Sequence, residues 1–524
     1  MVNMPSKLLK TIFIIISILF LLFISKKYYD QATSFAFVDE YDNIAVAHQM
    51  IKGKKLFSEV FHNRQIGPVY LSYAIQLITK PQTLYQLIAV HRLFIIAISF
   101  IFSILLLFRF GLLGLGFPIL FEPIKYYFHG NLFLGESMIV YPIIYLVLLL
   151  FEKNKKLFFY DVILAGFFSW LTIFSREPYI PLIILLFISI FIKKKNIKGF
   201  ITSSMIVFLL SAITLLGLNL KDYFFQLYVV NRSRITGNSF DKFDSVNLFT
   251  SLTYPILLLF KEGKWNHLRQ IVSSYSLFLM SLILYFLVRL KKYRLILMSL
   301  LLLIFSAIRV VSPGTVFYGA YRTMIWISLL IILNLVYFRK LIESKKNLTP
   351  ALFILPIIFI ISIISKESFI FKNINKVQSF DINYNRFFVN GEVIRLLTDS
   401  DDTLFVDGYD SLLFWQAGIP SAYKYSFYYP IMKDVKIFDN AKELMFKKNP
   451  PTFYFIDCIY RNINPIPKIV KDDYHQFIYS VTNGDTCLYV NKDKLIDLDN
   501  ERLDSIKKYN YFLNLSPKYD LKNQ

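Results

Sequence analysis

Charge is scarce in this sequence, and negative charge is scarcer. Only 18% of its 524 residues are Asp, Glu, Lys or Arg, 55% are hydrophobic, and the mean hydropathy is +0.49. A soluble chain carries about 25% charged residues, so a soluble cytosolic enzyme is excluded first. Nucleotide and metal signatures are missing too: there is no Walker A motif, no Gly-x-Gly-x-x-Gly, no His-Glu-x-x-His and no Cys-x-x-Cys. Nothing therefore points to ATP hydrolysis or a nucleotide fold. Cysteine is nearly absent, with Cys458 and Cys487 the two present. An exported location would permit a disulfide between them, and two buried free thiols are the alternative.

What the sequence does have is long apolar runs, many reaching the roughly 18 or more residues that cross ~30 Å of hydrocarbon. The predicted spans are Leu8–Ser25, Leu87–Phe108, Gly111–Tyr127, Ser137–Phe151, Phe158–Ser175, Tyr179–Ile192, Gly199–Leu218, Ile271–Val288, Leu295–Val311, Gly319–Phe338 and Leu348–Ser365. Glu122, Lys125 and His129 interrupt the third and blur where it ends and the fourth begins. Pro68–Ile78 is too short to cross comfortably and reads as an interfacial or re-entrant helix. Ser25-Lys26-Lys27-Tyr28 follows the first run with no small-x-small cleavage site, so that run reads as an uncleaved span.

The net charge of 58 − 36 = +22 is unevenly placed. From Lys366 onward, 21 basic and 21 acidic residues balance; the rest holds 37 basic against 15 acidic. The excess sits in short loops between apolar runs, which is the pattern of cytoplasmic loops and not of a nucleic-acid-binding face. With Pro68–Ile78 not crossing, the basic clusters at 153–156, 193–198, 289–294 and 339–346 all fall inside. The expected topology is N-terminus cytoplasmic and C-terminal part extracytoplasmic, in an inner or plasma membrane. Lys52, Lys54 and Lys55, in the first outer loop, run against that rule.

The fold class expected is an α-helical polytopic membrane protein of about 11 spans over residues 1–365, followed by an exported soluble α/β domain over 366–524. Thr403–Val406 and Thr452–Ile456 read as buried strands, 440–447 as a helix and Asp407-Gly408-Tyr409-Asp410 as a turn. The first outer loop, 26–67, carries a juxtamembrane helix, and a long outer loop covers 219–269.

Chemistry-bearing residues gather in the expected outer loops. Asp39, Glu40 and Asp42 put three carboxylates in four positions where a helical pattern begins (Ile44, Ala47, His48, Ile51). One Asp at a helix start is usually a cap; three crowd one another enough to raise a pKa or attract a cation. The loop closes on His62, Asn63 and Arg64, and a guanidinium there matches phosphate oxygens or a lipid headgroup. Glu136 opens a later span, Arg176-Glu177-Pro178 joins two spans, Arg232 and Arg234 lie in the long loop, and Arg322 sits near Tyr318 and Tyr321. Arginines for a phosphate and carboxylates for a proton, all on one side, suit an anionic lipid substrate.

These residues resemble a known group. The run 39–61 after the first span, Gly67-Pro68-Val69-Tyr70, Arg92, Gly135-Glu136-Ser137, Phe174–Pro178, and the tail segments 401–425 and 449–458 are similar to bacterial GT-C glycosyltransferases. The nearest group is the protein O-mannosyltransferase and aminoarabinose-transferase one, glycosyltransferase family 39-like. The resemblance implies inverting transfer of a sugar from a polyprenyl-phosphate donor to an extracytoplasmic glycan, lipid or protein acceptor. It makes Asp39 the general base and Glu40 and Glu136 supporting acids. It makes Arg176 and Arg322 donor-phosphate ligands; the residues themselves offer Arg64, Arg232 and Arg234 for the same phosphate, and Asp42, His62, Tyr318 and Tyr321 as substrate contacts. Arg64-Gln65-Ile66-Gly67-Pro68 departs from the Glu-Lys-Pro-Pro or His-Pro-Pro of several subgroups, which puts a divalent metal carried by that element in doubt. A transporter or flippase for lipid-linked sugars, a polysaccharide polymerase or ligase, and a membrane scaffold are the competing readings.

Overall fold

The computed structural model describes residues 6–152, 156–231, 267–290, 293–306, 320–343, 369–456, 466–479 and 484–513. Helix α1 (Ser6–Asp30) leads into α2 (Val38–Ile51) and α3 (Gly67–Thr79). With 13 residues, α3 is only ~20 Å long at 1.5 Å per residue, shorter than the ~30 Å of a hydrocarbon core. Then follow α4 (Leu84–Phe110), α5 (Leu112–Lys125), α6 (Gly135–Phe151), α7 (Phe159–Ser175), α8 (Ile180–Lys194), α9 (Ile197–Leu215) and α10 (Leu220–Phe224). Beyond these come α11 (His267–Leu290), α12 (Tyr293–Ser306) and α13 (Met324–Glu343). The expected span Leu348–Ser365 lies outside the described residues.

Burial follows composition. Helix α6 is apolar on every side, and all 17 of its residues are buried, as expected of a helix with no polar face. It packs with α13, α4, α7 and α8 at the centre of the bundle. Helix α9 is equally apolar but bare, with Phe208, Leu209, Ile213 and the following Leu216 exposed. Among the described residues, Lys10–Asp30, Leu84–Phe110, Ile197–Leu215 and Tyr321–Glu343 are long and apolar enough to cross a membrane. The interrupted run after Gly111 becomes α5 plus a 3₁₀ turn, Tyr126–Phe128. Its charges are internally matched: Lys125 Nζ lies 3.3 Å from Glu122 and donates to Ser99 at 2.6 Å, while Tyr141 donates to Glu122 at 2.6 Å. At the opposite end of α4, Arg109 forks onto Asp161 at 2.8 and 2.9 Å.

The C-terminal part begins with α14 (Lys376–Leu397) and surrounds a five-stranded sheet of order β1-β2-β4-β3-β5. Strands β1 (Leu404–Asp407) and β2 (Phe453–Ile456), both expected, pair in parallel with Leu404 opposite Phe453. Every residue of both is buried, which suits strands covered on both faces. Strand β4 (Gly484–Asn491) runs antiparallel to β2, and β3 (Tyr474–Tyr479) joins it to β5 (Tyr511–Leu513). Helices α15 (Leu412–Ala417) and α16 (Lys436–Lys448) flank the sheet, and α17 (Lys468–Asp473), α18 (Lys492–Asp497) and α19 (Asn500–Lys507) complete it. Cys487 is disulfide-bonded; the other cysteine of the sequence, Cys458, lies outside the described residues.

This part clamps α2 and the loop after it. Phe61 N donates to Tyr425 O at 2.9 Å, Ser426 Oγ donates to Glu59 O at 2.8 Å, and the Tyr41 and Phe387 rings meet edge-on at 5.3 Å.

Candidate active site

The acidic run does start a helix, but not as a cap. The residue preceding α2 is Phe37, with no side-chain cap, and Asp39 and Glu40 fall in the first turn. Successive helical residues point about 100° apart, so Glu40 leaves α2 in a different direction from Asp39 and Asp42, which stand three apart on one face and share Arg64.

Asp39 meets two arginines and a tyrosine. Arg64 Nη2 contacts its Oδ1 at 2.7 Å, Tyr321 donates to Oδ2 at 2.8 Å, and Arg176 Nη2 lies 3.9 Å from Oδ2. Arg64 also donates to the Asp39 carbonyl at 3.1 Å and to Asp42 at 3.3 Å. The Arg64 and Asp39 side chains keep 19% and 18% of their surface open. Arg176 is fixed by Glu136 at 2.7 Å and lies 5.9 Å above the Tyr321 ring. Arg322 follows in sequence, with Nε 3.3 Å from the Tyr321 hydroxyl.

Two glycines let these pieces converge. A Cβ on Gly67 would sit 2.6 Å from Phe174 O, and one on Gly135 2.6 Å from Ser175 O. The starts of α3 and α6 thus press against the end of α7, where Arg176 emerges.

Asp42 forms a deeper layer. It accepts from the Tyr429 hydroxyl, and His62 Nδ1 lies 3.7 Å from its Oδ2. Burial raises the Asp42 carboxyl above its usual range, opposed by Arg64 and Tyr429 and assisted by Asp39. Burial and the neighbouring Arg64 drive His62 down to about 3, so the imidazole is neutral. Burial opposes the charge of Arg64, but Asp39 and Asp42 outweigh it and hold that guanidinium firmly protonated.

Glu40 is sealed. It binds Arg92 through Nε at 2.9 Å and through Nη2, and accepts from Phe133 N at 2.9 Å. Arg92 goes on to the Ala32 carbonyl at 2.8 Å and to Tyr384 at 2.9 Å. The side chains of this pair are 0% and 1% exposed.

Asp39, Asp42, His62, Arg64, Glu136, Arg176, Tyr321 and Arg322 are thus brought together, with Glu40 directly behind them. Arg232, Arg234 and Tyr318 lie outside the described residues. Sequence reasoning missed Tyr429, although the dense tyrosine run at 423–429 was a visible signal. Among the described residues no three His, Cys, Asp or Glu side chains converge as metal ligands. Each carboxylate of the cluster takes an arginine instead, a donor set that does not fit a resident divalent cation.

No protein-family model and no curated protein matches the sequence. Its structure does have a counterpart. The crystal structure of ArnT from Cupriavidus metallidurans in the apo state superposes with a TM-score of 0.51 over 87% of this chain and 95% of that one, at 10% identity. The fold is of the GT-C type. At that identity the likeness speaks for the GT-C architecture: a polytopic helical bundle followed by a C-terminal domain. In this GT-C chain the cluster joins the first-loop elements, the starts of α6 and α13 and the end of α7 to the C-terminal part.

Proposed function

We propose that this protein is a membrane glycosyltransferase that moves a sugar from a polyprenyl-phosphate donor to an extracytoplasmic acceptor hydroxyl. Residues 1–365 form the catalytic membrane domain and 366–524 the exported domain, with the N-terminus cytoplasmic. One observation carries the reading above all: Asp39 is a partly open carboxylate with two arginines and a tyrosine arrayed on it. A transporter needs the cations but not an accessible base.

In this mechanism Asp39 takes the proton of the acceptor hydroxyl as its oxygen bonds to the sugar's anomeric carbon. The bond from that carbon to the phosphate oxygen breaks on the opposite face, giving inversion. The lipid phosphate leaves with its charge balanced by Arg64 and Arg176. A guanidinium has more N–H donors than the three contacts Arg64 spends on Asp39 and Asp42, so Arg64 can hold base and phosphate together. Glu136 aims Arg176, and Glu40 with Arg92 fixes the first turn of α2. The donor is already activated, so no nucleotide site is needed.

The test is a transfer assay in membranes, with a panel of labelled polyprenyl-phosphate sugars, wild type and Asp39→Asn in parallel. Donor-dependent transfer that disappears in the variant at equal expression supports the reading. Equal transfer by Asp39→Asn removes Asp39 as the base, and movement of intact donor across the bilayer without transfer replaces the enzyme with a carrier.

A further inference from the structure

Two of the three lysines that run against the charge rule have a structural counterpart. Lys54 and Lys55 line a cavity of about 620 Å³ bounded by the end of α2, by α3 and by the segment between α9 and α10. It shares no residue with the Asp39 cluster. Met50, on its wall, is eleven residues along α2 from Asp39, ~17 Å at 1.5 Å per residue.

The lining has two characters. Lys54, Lys55, Ser58 and Asn219 are its polar members. Among the described residues neither lysine has an ion-pair partner. The nearby carboxylates are engaged elsewhere: Glu59 accepts from Lys55 N at 2.8 Å and Asp222 from Ser58 at 3.0 Å. Asn219 uses its carbonyl oxygen to cap α10, accepting from Lys221 N and Asp222 N, and its amide N–H groups remain as donors. The apolar and aromatic members include Tyr70, Tyr73 and Leu216.

The position decides between possible anions. Leu216 directly follows α9, which is long and apolar enough to cross a membrane. It continues the bare face of that helix, being 81% exposed next to Phe208 at 71% and Ile213 at 68%. A free anion has no use for such a face, and an acyl chain does. Tyr70 and Tyr73 line the cavity beside the end of that helix, and tyrosines beside the end of a span match the headgroup level of a bilayer.

We propose that this cavity is a binding site for an anionic phospholipid. The phosphate sits between Lys54 and Lys55, and an acyl chain lies along the outer face of α9. The proposal is independent of the transferase reading, because binding is measured without turnover. It also accounts for lysines in an outer loop, where a structural lipid offsets their charge.

The experiment is native mass spectrometry of the full chain in detergent, titrated with short-chain phosphatidylglycerol. The arms are wild type, the double variant Lys54→Gln/Lys55→Gln, and Lys198→Gln at the opposite end of α9. Each lysine near an anionic headgroup contributes a factor of about five, so the double variant should bind roughly 25-fold more weakly while Lys198→Gln matches wild type. Short-chain phosphatidylcholine and inorganic phosphate serve as competitors. Unchanged binding in the double variant, or equal binding of phosphatidylcholine, overturns the site. Displacement by inorganic phosphate at the same concentration overturns the lipid assignment, because the α9 face then contributes nothing.

Discussion

Asp39 and Glu40 are neighbours in the first turn of one helix, and both hold an arginine, yet their surroundings differ in every other respect. The Glu40–Arg92 pair is closed to solvent and spends its remaining hydrogen bonds on backbone groups and Tyr384. The Asp39–Arg64 pair keeps nearly a fifth of each side chain open and shares its carboxylate with Tyr321 and Arg176. A buried ion pair with every lone pair satisfied fixes geometry and does not react. An open one, fed by several cations, has room for an anionic ligand. The helix start thus carries an anchor and a reactive group side by side, and the anchor sets where the reactive group points.

The sharpest break is to remove one partner of the anchor. Glu40→Ala leaves Arg92 charged and buried, a change that costs about 3–5 kcal/mol. The expected result is loss of most folded protein, read as a collapse of the monodisperse peak in detergent. Glu40→Ala expressed and folded like wild type would make the sealed pair dispensable. Asp39→Asn is expected to behave oppositely, with normal yield and melting temperature but transfer reduced ~10²–10⁴-fold in kcat, the range for a lost general base.

Intermediate effects sharpen the division within the open layer. Arg176→Gln keeps a hydrogen-bonding side chain beside Glu136 but removes the charge. It should raise the donor KM by about tenfold, consistent with one lost charged contact to phosphate, and leave the acceptor KM unchanged; an acceptor effect instead would move Arg176 off the phosphate. Tyr429→Phe removes the hydroxyl on Asp42, 387 residues away in sequence. Asp42 shares Arg64 with Asp39, so a loss of about threefold to tenfold in kcat is expected, the net worth of an ordinary hydrogen bond.

Much of this layout was legible beforehand, for local reasons. Asp39, Glu136 and Arg176 stand where helices begin or end, and such positions announce themselves by composition. Strands β1 and β2 showed because buried parallel strands read as unbroken apolar and aromatic runs. What stayed hidden depends on the chain returning from afar. Arg64 and Asp39 are 25 residues apart, Tyr321 and Asp39 are 282 apart, and Glu40 and Arg92 are 52 apart. No periodicity encodes such pairings. Helix α14 was missed because it packs on two sides, with Tyr384 reaching Arg92 while Asn390 accepts from Tyr511. Its polar residues therefore spread around the axis and leave no clean stripe. Strands β3 and β5 alternate only partly in burial.

The smallest effect tests whether the layer behind Asp39 is as dry as its geometry implies. His62 titrates near 3 in the folded chain because burial and Arg64 disfavour its cation, against about 6.5 when unfolded. A group whose folded pKa is depressed contributes its full stability above the unfolded value and loses it as pH falls towards the folded one. Between pH 7.5 and 5.5 the unfolded state gains a proton that the folded state refuses, worth about 1 kcal/mol. His48, lowered to about 4 by burial and Lys52, acts in the same direction, while Asp42, raised by burial, opposes both. The apparent melting temperature should therefore fall from pH 7.5 to 5.5, and His62→Gln should flatten part of that fall. An unchanged slope would mean that His62 takes its proton within the fold. Water would then reach Asp42, and the contrast between a dry support and an open base would have to be redrawn one layer deeper, at Glu40 and Arg92.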